Sequence, residues 1–297
     1  MKIAVTGGSG FIGGRLITYL LQQGHEIINI SRSTRASIPG VRTLTWEQLK
    51  TDNADLKGLE AIVNLAGESI NQRWTSDAKS RILESRQRAA AQIADLVERL
   101  DIKPRVVVNA SGMSIYGTSE TAVFDERSPH HVVDFLSGVS EEWERAADLI
   151  SGTRLVKVRV GLVLDGKDGA FPKMALPYKL GVGGTIGSGK QWLSWIHIED
   201  MVRLIDFCIQ HDDISGPVNA TAPNPVTNKQ FGAVLAKVMR RPNFFPLPAF
   251  VLKLIFGELS TLLLEGQKVL PRTLLEHGFV FTYSTVDQAL SDILAKH

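Results

Sequence analysis

Short apolar runs alternate with segments of helical periodicity along the first two thirds of the chain. Residues 2–5 predict a strand, and residues 11–23 place isoleucine and leucine on one face, as an amphipathic helix does. The same alternation predicts strands at 26–30, 41–45, 61–65, 105–110 and 154–160, and helices at about 75–100, 139–150, 199–211 and 228–240. This order indicates an α/β class with a doubly wound parallel sheet, and the nearly continuous apolar strands indicate helices on both of its faces.

The amino-acid composition of the chain changes after about residue 165. Residues 165–195 are rich in glycine, and the last segments are rich in proline and leucine. We therefore predict a first domain over residues 1–165, to which a strand and a helix return near 195–225. A smaller C-terminal lobe is predicted over residues 166–297, and it includes a distinct tail at 243–290.

The composition is that of an ordinary globular protein. The 297 residues are 44% hydrophobic and 22% charged, and the net charge of +2 offers no strong basic field for nucleic-acid binding. The single cysteine, Cys208, lies in an apolar run, so we expect a buried thiol rather than a nucleophile. No internal disulfide can form, and we expect a cytoplasmic protein.

The most apolar stretch of the chain covers residues 244–264. It is interrupted by Pro246, Pro248, Lys253 and Glu258, whereas a membrane-spanning helix needs about 20 nearly uncharged apolar residues. We therefore expect no membrane span, and an exposed apolar patch stays open as an alternative. We also expect no signal peptide, because the first strand and a glycine-rich turn occupy the beginning of the chain.

That turn reads TGGSGFIG over residues 6–13 and carries the strongest chemical signal. Gly7 permits a tight turn off the strand, Gly10 lets the backbone approach a pyrophosphate, and Gly13 allows close packing of helix and strand. Phe11 and Ile12 begin the helix, whose free N–H groups and positive dipole end would face the phosphates. Because the motif follows a strand and opens a helix, it predicts a Rossmann-type dinucleotide site.

The end of the second strand indicates which dinucleotide is bound. A site for NAD places an acidic residue there to hold the ribose 2′-hydroxyl, but this chain has Ser31 and Arg32. A guanidinium suits a 2′-phosphate, with the serine hydroxyl as a second donor. We therefore predict NADP(H) as the cofactor.

Other strand ends belong to the same predicted edge. The fourth strand ends in small residues that leave room for the cofactor, and the cofactor-contacting positions predicted there are Leu65, Ala66, Gly67 and Glu68. Ser111 and Val160, at the ends of later strands, complete the predicted set. Glu68 has two alternatives, an acid/base group if it is desolvated or a loop cap.

Several motifs together resemble the extended short-chain dehydrogenase/reductase superfamily. They are the glycine-rich turn, NLAG at 64–67, YG at 116–117 and WIHIED at 195–200. More narrowly, the chain is similar to the atypical branch of NADP-binding "epimerase family" proteins, some labelled cell-division-inhibitor-like. The closer motifs are LAGE at 65–68, RW at 73–74, SR at 85–86, GSGKQW at 187–192, GPVN at 216–219, APNPV at 222–226 and GQKVLP at 266–271. The resemblance implies an architecture like that of nucleotide-sugar epimerases, with Arg32 and Arg86 holding phosphate or ribose groups. The alternative for Arg86 is a solvated arginine on its helix.

The superfamily's catalytic pattern is where this chain departs from it. That pattern is Ser/Thr followed by Tyr-x-x-x-Lys, but the corresponding helix start, at 135–144, reads FLSGVSEEWE and contains neither tyrosine nor lysine. Ser111 and Ser114 stand where the superfamily keeps its Ser/Thr, and Tyr116 is a candidate acid. The alternatives are a capped strand end for the serines and a packed aromatic ring for the tyrosine.

Four later polar residues are candidates for a substrate pocket: Arg73, Lys190, Gln191 and His197. The first three would bind an anionic group, whereas His197 has a structural histidine as its alternative. No cluster in the sequence has metal-ligand spacing, so we expect no metal.

These features favour an NADP(H)-dependent epimerase or reductase that acts on a small polar substrate. The missing Tyr-x-x-x-Lys pair keeps a second hypothesis open, a non-catalytic NADP(H) sensor or regulatory protein. Such a sensor would need a partner surface, for which residues 244–264 are the candidate, and a homodimer is a further alternative.

Overall fold

The computed structural model describes residues 1–34 and 38–296. Its strands are β1 (Lys2–Thr6), β2 (Glu26–Ser31), β3 (Arg42–Thr45), β4 (Ala61–Asn64), β5 (Val106–Gly112), β6 (Val123–Phe124), β7 (Arg154–Val160), β8 (Leu162–Leu164), β9 (Trp192–Leu193), β10 (Trp195–His197), β11 (Gly216–Ala220), β12 (Val226–Thr227) and β13 (Lys268–Val269). Its helices are α1 (Phe11–Gln22), α2 (Trp46–Thr51), α3 (Ser76–Arg99), α4 (Phe135–Ala147), α5 (Phe171–Lys179), α6 (Ile198–Gln210), α7 (Asn228–Met239), α8 (Ala249–Phe256), α9 (Thr261–Leu264), α10 (Arg272–Glu276) and α11 (Val286–Ala295). Short 3-10 turns occupy Ala54–Leu56, Met113–Tyr116 and Gly257–Ser260.

Within the described residues, seven strands form the central sheet in the order β11-β7-β5-β4-β1-β2-β3. All of these pairings are parallel. The direction of strand addition reverses between β1 and β4, which creates the crevice where open α/β sheets bind ligands. The predicted α/β class with a Rossmann-type, doubly wound parallel sheet is confirmed.

The sheet is buried because helices cover both of its faces. On one face, α1 and α6 pack their apolar sides on β1, β4, β5 and β7 around residues such as Leu16 and Leu204. On the other face, α3 packs on β2, β4 and β5 around Ile62 and Ile93. This two-sided burial explains why the strands read as continuous apolar runs rather than as alternating ones.

A third apolar core lies in the later part of the chain. It joins α5, α7 and α11 to the short strands β8, β9 and β10 around Phe171, Trp195 and Phe231. Between α6 and α7 the chain returns to the main sheet through β11, while β13 pairs with β6 from the first part of the chain. The boundary at residue 165 stays a prediction, and residue 297, the last of the predicted lobe, lies outside the described residues.

One helix boundary differs from the sequence prediction for a clear reason. The predicted helix at 139–150 is α4, which begins at Phe135 because Asp134 caps it. The Asp134 side chain accepts a hydrogen bond from the Ser137 amide at 2.8 Å, and the Ser137 side chain accepts one from the Asp134 amide, which completes a capping box.

The apolar stretch at 244–264 contains only short helices. No helix in residues 1–34 and 38–296 is both long and apolar enough to cross a membrane.

Candidate functional site

The glycine-rich turn connects the end of β1 to the start of α1. Gly7 has a φ of +71°, a left-handed conformation that favours glycine, and its carbonyl accepts from the Gly10 amide at 2.9 Å. A Cβ on Gly7 would lie 2.7 Å from the carbonyl carbon of Leu65, and a Cβ on Gly13 would lie 2.2 Å from the carbonyl oxygen of Gly7. Both glycines are therefore required by close approaches of backbone to backbone.

The N-terminus of α1 borders open space. Phe11 and Ile12 form its first turn, and Gly10 is the N-cap with no side chain to satisfy the free amides. A groove of about 280 Å³ lies beside this turn, with Ser9 and Asp168 on its walls. The dipole of α1 and these amides favour an anion in that groove.

Two further strand ends adjoin the turn. Thr6 pairs with Ile30, so Ser31, the last residue of β2, and Arg32, which follows it, lie directly beside the turn, and Arg32 is exposed. Leu65 follows β4 against Gly7 on the other side. The structure thus brings the turn, the Ser31–Arg32 pair and the end of β4 to one edge of the sheet.

Glu68 closes the loop after β4 and is held as an anion. Its carboxylate accepts from Gln72 at 3.1 Å and from Arg81 at 2.9 Å, and its amide donates to Ser85. These two side-chain hydrogen bonds lower the pKa of Glu68, and the charge of Arg32 adds to the effect. A carboxylate with a lowered pKa is a poor proton donor at neutral pH, so the geometry favours the loop-cap alternative.

Arg86 reaches the same loop from α3. One guanidinium nitrogen, Nη1, donates to the carbonyls of Ile82 at 2.9 Å and Glu68 at 3.0 Å. The Cζ of Arg86 lies 4.9 Å from the centre of the Trp143 ring, and a Cβ on Gly67 would approach that Cζ to 3.2 Å. The half-buried cation therefore stands directly against the small-residue end of β4.

A chain of buried polar side chains continues from β5 to β11. Ser111 donates to Glu144 at 2.8 Å, and Glu144 accepts from Arg159 Nε at 2.7 Å and Nη2 at 3.0 Å. Burial acts to raise the pKa of Glu144, but the bonds from Arg159 and Ser111 outweigh it and lower that pKa. Glu144 and Arg159 therefore form an ionised pair, and the Ser111 hydroxyl uses its hydrogen in the bond to Glu144.

Tyr116 belongs to this buried network. It is 1% exposed, and its hydroxyl donates to Asn219 at 2.8 Å and accepts from Arg159 at 2.7 Å. Burial raises the pKa of Tyr116 to about 12, and its ring stacks on Phe124 with centroids 5.6 Å apart. These contacts favour the packed-aromatic alternative over the catalytic acid.

Ser114 is the candidate with the most accessible hydroxyl. It is half-buried, and its Oγ lies 3.0 Å from the Oγ of Ser140 and 3.4 Å from the carbonyl oxygen of Leu136, both on α4. The hydroxyl pair occupies the side of α4 that faces the end of β5. Val160 is half-buried at the end of β7, where it pairs with Gly112.

The four residues predicted to line a substrate pocket differ in their exposure and in their contacts. Arg73 and Lys190 are exposed, whereas Gln191 is buried and donates to the carbonyls of Ile186 and Leu263 at 3.0 and 2.8 Å. The buried Nδ1 of His197 accepts from the Glu199 amide and so caps α6, and burial lowers the pKa of this histidine. Gln191 and His197 therefore have structural contacts.

Sequence reasoning did not single out three residues that organise this edge: Trp143, Glu144 and Arg159. A charged residue inside the apolar strand β7 was the available signal for Arg159, because a buried charge requires a partner. For Trp143 the sequence held no comparable signal.

In the described part of the chain no group of three or more His, Cys, Asp or Glu side chains could hold a metal ion.

Comparisons with known proteins agree with this geometry. Residues 3–133 match the NAD dependent epimerase/dehydratase family, and residues 247–293 match a domain of unknown function, DUF1731. Epimerase family protein YfhF of Bacillus subtilis is 42% identical over 301 residues, which cover 99% of this chain and 98% of that protein.

Solved structures extend the likeness. The crystal structure of human epimerase family protein SDR39U1 (isoform 2) with NADPH is similar over 100% of both chains, with a TM-score of 0.93 and 37% identity. The Thermus thermophilus UDP-glucose 4-epimerase complex with NAD has a TM-score of 0.75 over 99% of both chains, but its 15% identity shows a shared fold alone. The family resemblance expected from the motifs is confirmed, and the chain belongs to the NAD dependent epimerase/dehydratase family.

Proposed function

We propose that this chain binds NADP(H) at the edge formed by β1, β2 and β4 and is an NADP(H)-dependent epimerase or reductase. The observation that carries the proposal is the position of Arg32. It follows β2 beside the glycine-rich turn, where a site for NAD would hold an acidic residue. The NADPH in the human SDR39U1 structure supports the same cofactor.

The residues at this edge fit a phosphorylated dinucleotide. Among the described residues, a Cβ added to Gly10 would have only the carbonyl oxygen of Gly7 within 4 Å, at 3.2 Å, so the backbone is open to a pyrophosphate beside the N-terminus of α1. Ser31 and Arg32 would hold the 2′-phosphate, and Arg86 would add a donor at the end of β4. When bound, a nicotinamide cofactor supplies hydride transfer.

On the substrate side, the proposal gives Ser114 the leading role. Tyr116 is buried with both its donor and its acceptor function in use, and the Ser111 hydrogen is committed to Glu144. Ser114 is half-buried and shares its hydroxyl with Ser140, which can accept or donate in turn. Its hydroxyl would orient a substrate oxygen by a hydrogen bond, with the Ser140 hydroxyl as its own partner.

The test is turnover of a panel of sugar nucleotides and carbonyl compounds with NADPH, followed by absorbance and by product analysis. Ser114→Ala should lower kcat by about 100- to 1000-fold, the range for one lost hydrogen-bond donor to a reacting oxygen. Ser80→Ala, on an exposed position of α3, is the matched control and should leave kcat unchanged. Absence of turnover across the panel, with NADPH bound, would count against an enzyme.

A non-catalytic NADP(H) sensor is the second candidate. It is favoured because the Tyr116 hydroxyl already uses both its donor and its acceptor function in buried hydrogen bonds. Its partner surface would be the exposed apolar side chains near α8, including Phe250 and Leu254, which are 70% and 85% exposed. Pull-downs at high and low NADP⁺/NADPH ratios should then give different partner sets, and identical sets would exclude this role. A homodimer and a cytoplasmic location also stay predictions.

A further inference from the structure

Arg86 differs from the other buried arginine of the site in its partners. Arg159 is paired with the Glu144 carboxylate, as a buried cation normally is. Arg86 has no ion pair within 4.0 Å among residues 1–34 and 38–296, and its described hydrogen bonds go to the carbonyls of Ile82 and Glu68. Burial lowers the pKa of Arg86 to about 10, so the group still carries its charge at neutral pH. The charge of Glu68 acts on Arg86 from beyond ion-pair distance, and without a direct ion pair this half-buried cation is suited to an anionic ligand.

Trp143 lies directly against that cation. Its ring, on α4, is 8% exposed, and the Arg86 guanidinium stands over it at 4.9 Å. A cation–π contact leaves the guanidinium N–H groups that do not face the ring free to donate. Nη1 is already used on two carbonyls, so the donors that remain are on the other nitrogens.

Arg86 lies against the end of β4, at the cofactor side of the sheet. A Cβ on Gly67 would meet Arg86 Cζ at 3.2 Å, and two residues earlier the carbonyl of Leu65 touches Gly7 of the glycine-rich turn. The cation, the end of β4 and the turn therefore form one continuous wall.

The unpaired indole nitrogen of Trp143 indicates that this residue is present for the contact that its ring face makes. Nε1 is buried and has no hydrogen-bond acceptor among the described residues. A leucine or phenylalanine would fill the space between α3 and α4 without leaving a buried donor unpaired, which is unfavourable. The contact that only an electron-rich ring provides is the one with Arg86.

We infer that Trp143 is a positioning residue for cofactor binding, because its ring holds the Arg86 guanidinium with free donors toward a phosphate or ribose group. This inference rests on the proposed NADP(H) function. It assigns to α4, which lacks the Tyr-x-x-x-Lys pair, an indirect part in binding the cofactor.

A double-mutant cycle tests the inference by calorimetric titration of the full chain with NADPH. Trp143→Leu should weaken binding by about tenfold, the scale of a desolvated cation–π contact, and Arg86→Leu should weaken it further. Because Trp143 acts through Arg86, the double variant should bind no more weakly than Arg86→Leu within about threefold. Trp192→Leu, which removes a half-buried tryptophan with its own cation contact to Lys268 at 4.7 Å, is the matched control and should leave the Kd unchanged.

Three outcomes separate the claims. A Kd for Trp143→Leu equal to that of the wild type overturns the inference, as do losses that multiply in the double variant, because a purely structural ring would act independently. Failure of the wild type to bind NADPH overturns the proposed function instead. If Trp143→Leu does not melt cooperatively, 5-fluorotryptophan labelling carries the test: the Trp143 fluorine resonance, assigned with Trp143→Phe, should shift on NADPH addition in the wild type and stay in place in Arg86→Leu. No shift in the wild type again overturns the inference.

Discussion

Substituting Gly13 with alanine tests whether the packing of the glycine-rich turn is a strict requirement. The added Cβ would start 2.2 Å from the carbonyl oxygen of Gly7 and 2.9 Å from the Cα of Gly8, and both of these are backbone atoms. Real Cβ contacts essentially never fall below 3.0 Å, so α1 and the turn must separate by roughly 1 Å. No flexible side chain is present at these contacts to absorb the displacement.

The expected loss can be estimated from two opposing effects. Overpacking against backbone costs about 3 kcal/mol, the upper end of its usual range, and alanine gains about 1 kcal/mol over glycine inside a helix. The net destabilisation is about 2 kcal/mol, or a fall of roughly 4–8 °C in melting temperature. A displacement of ~1 Å in the groups that face the pyrophosphate should also weaken NADPH binding by about 10- to 100-fold, the scale of one lost hydrogen bond to a charged group.

Gly14→Ala is the matched control on the same helix. Its Cβ would lie 3.5 Å from the carbonyl oxygen of Gly8, an ordinary contact, so only the helix-propensity gain of about 1 kcal/mol remains. Thermal melts and calorimetric titration with NADPH should therefore show Gly13→Ala falling and Gly14→Ala holding or rising. If the two variants melt and bind alike, the packing argument for the turn is wrong.

Three further predictions concern buried groups. Glu144→Gln removes the counter-charge of Arg159 and should cost about 3–5 kcal/mol in urea unfolding, with exposed Glu84→Gln as the control. Because the folded pKa of Glu144 is lowered, the stability it contributes is present at neutral pH and is lost as pH falls below ~4, a dependence that Glu144→Gln should lack. Tyr116→Phe should cost about 1–3 kcal/mol while the Kd for NADPH stays unchanged; a changed Kd would contradict the packed-aromatic account. Cys208 is fully buried with its pKa raised to about 12, so a thiol reagent should label it in guanidinium chloride and not in the native protein.

The central sheet could be predicted from the sequence because each strand has a strong local signal. Buried parallel strands are apolar throughout, and the helices between them repeat apolar residues at a period that places them on one face. The turn at 6–13 could be located for the same reason, since glycine is required there by backbone contacts only a few residues apart and by one to β4. The boundary of α4 was misplaced because its start depends on the capping box of Asp134 and Ser137.

The catalytic side could not be predicted in the same way. Tyr116 and Ser111 occupy positions that suggest chemistry, but their hydrogen bonds to Asn219 and Glu144 join residues more than 30 positions apart. No local pattern encodes such pairings. Trp143 is a similar case, because its significance comes from a residue on another helix.

The most direct test of the account is the affinity of the wild-type chain for NADPH and for NADH, measured side by side by calorimetry, with Arg32→Ala as the comparison. One charge-assisted contact to the 2′-phosphate is worth about 1.5–3 kcal/mol, so the wild type should bind NADPH roughly 10- to 100-fold more tightly than NADH. Arg32→Ala should remove most of that difference and leave NADH binding unchanged. Equal affinities of the wild type for the two cofactors would contradict the assignment of Arg32 and, with it, the proposed NADP(H) site.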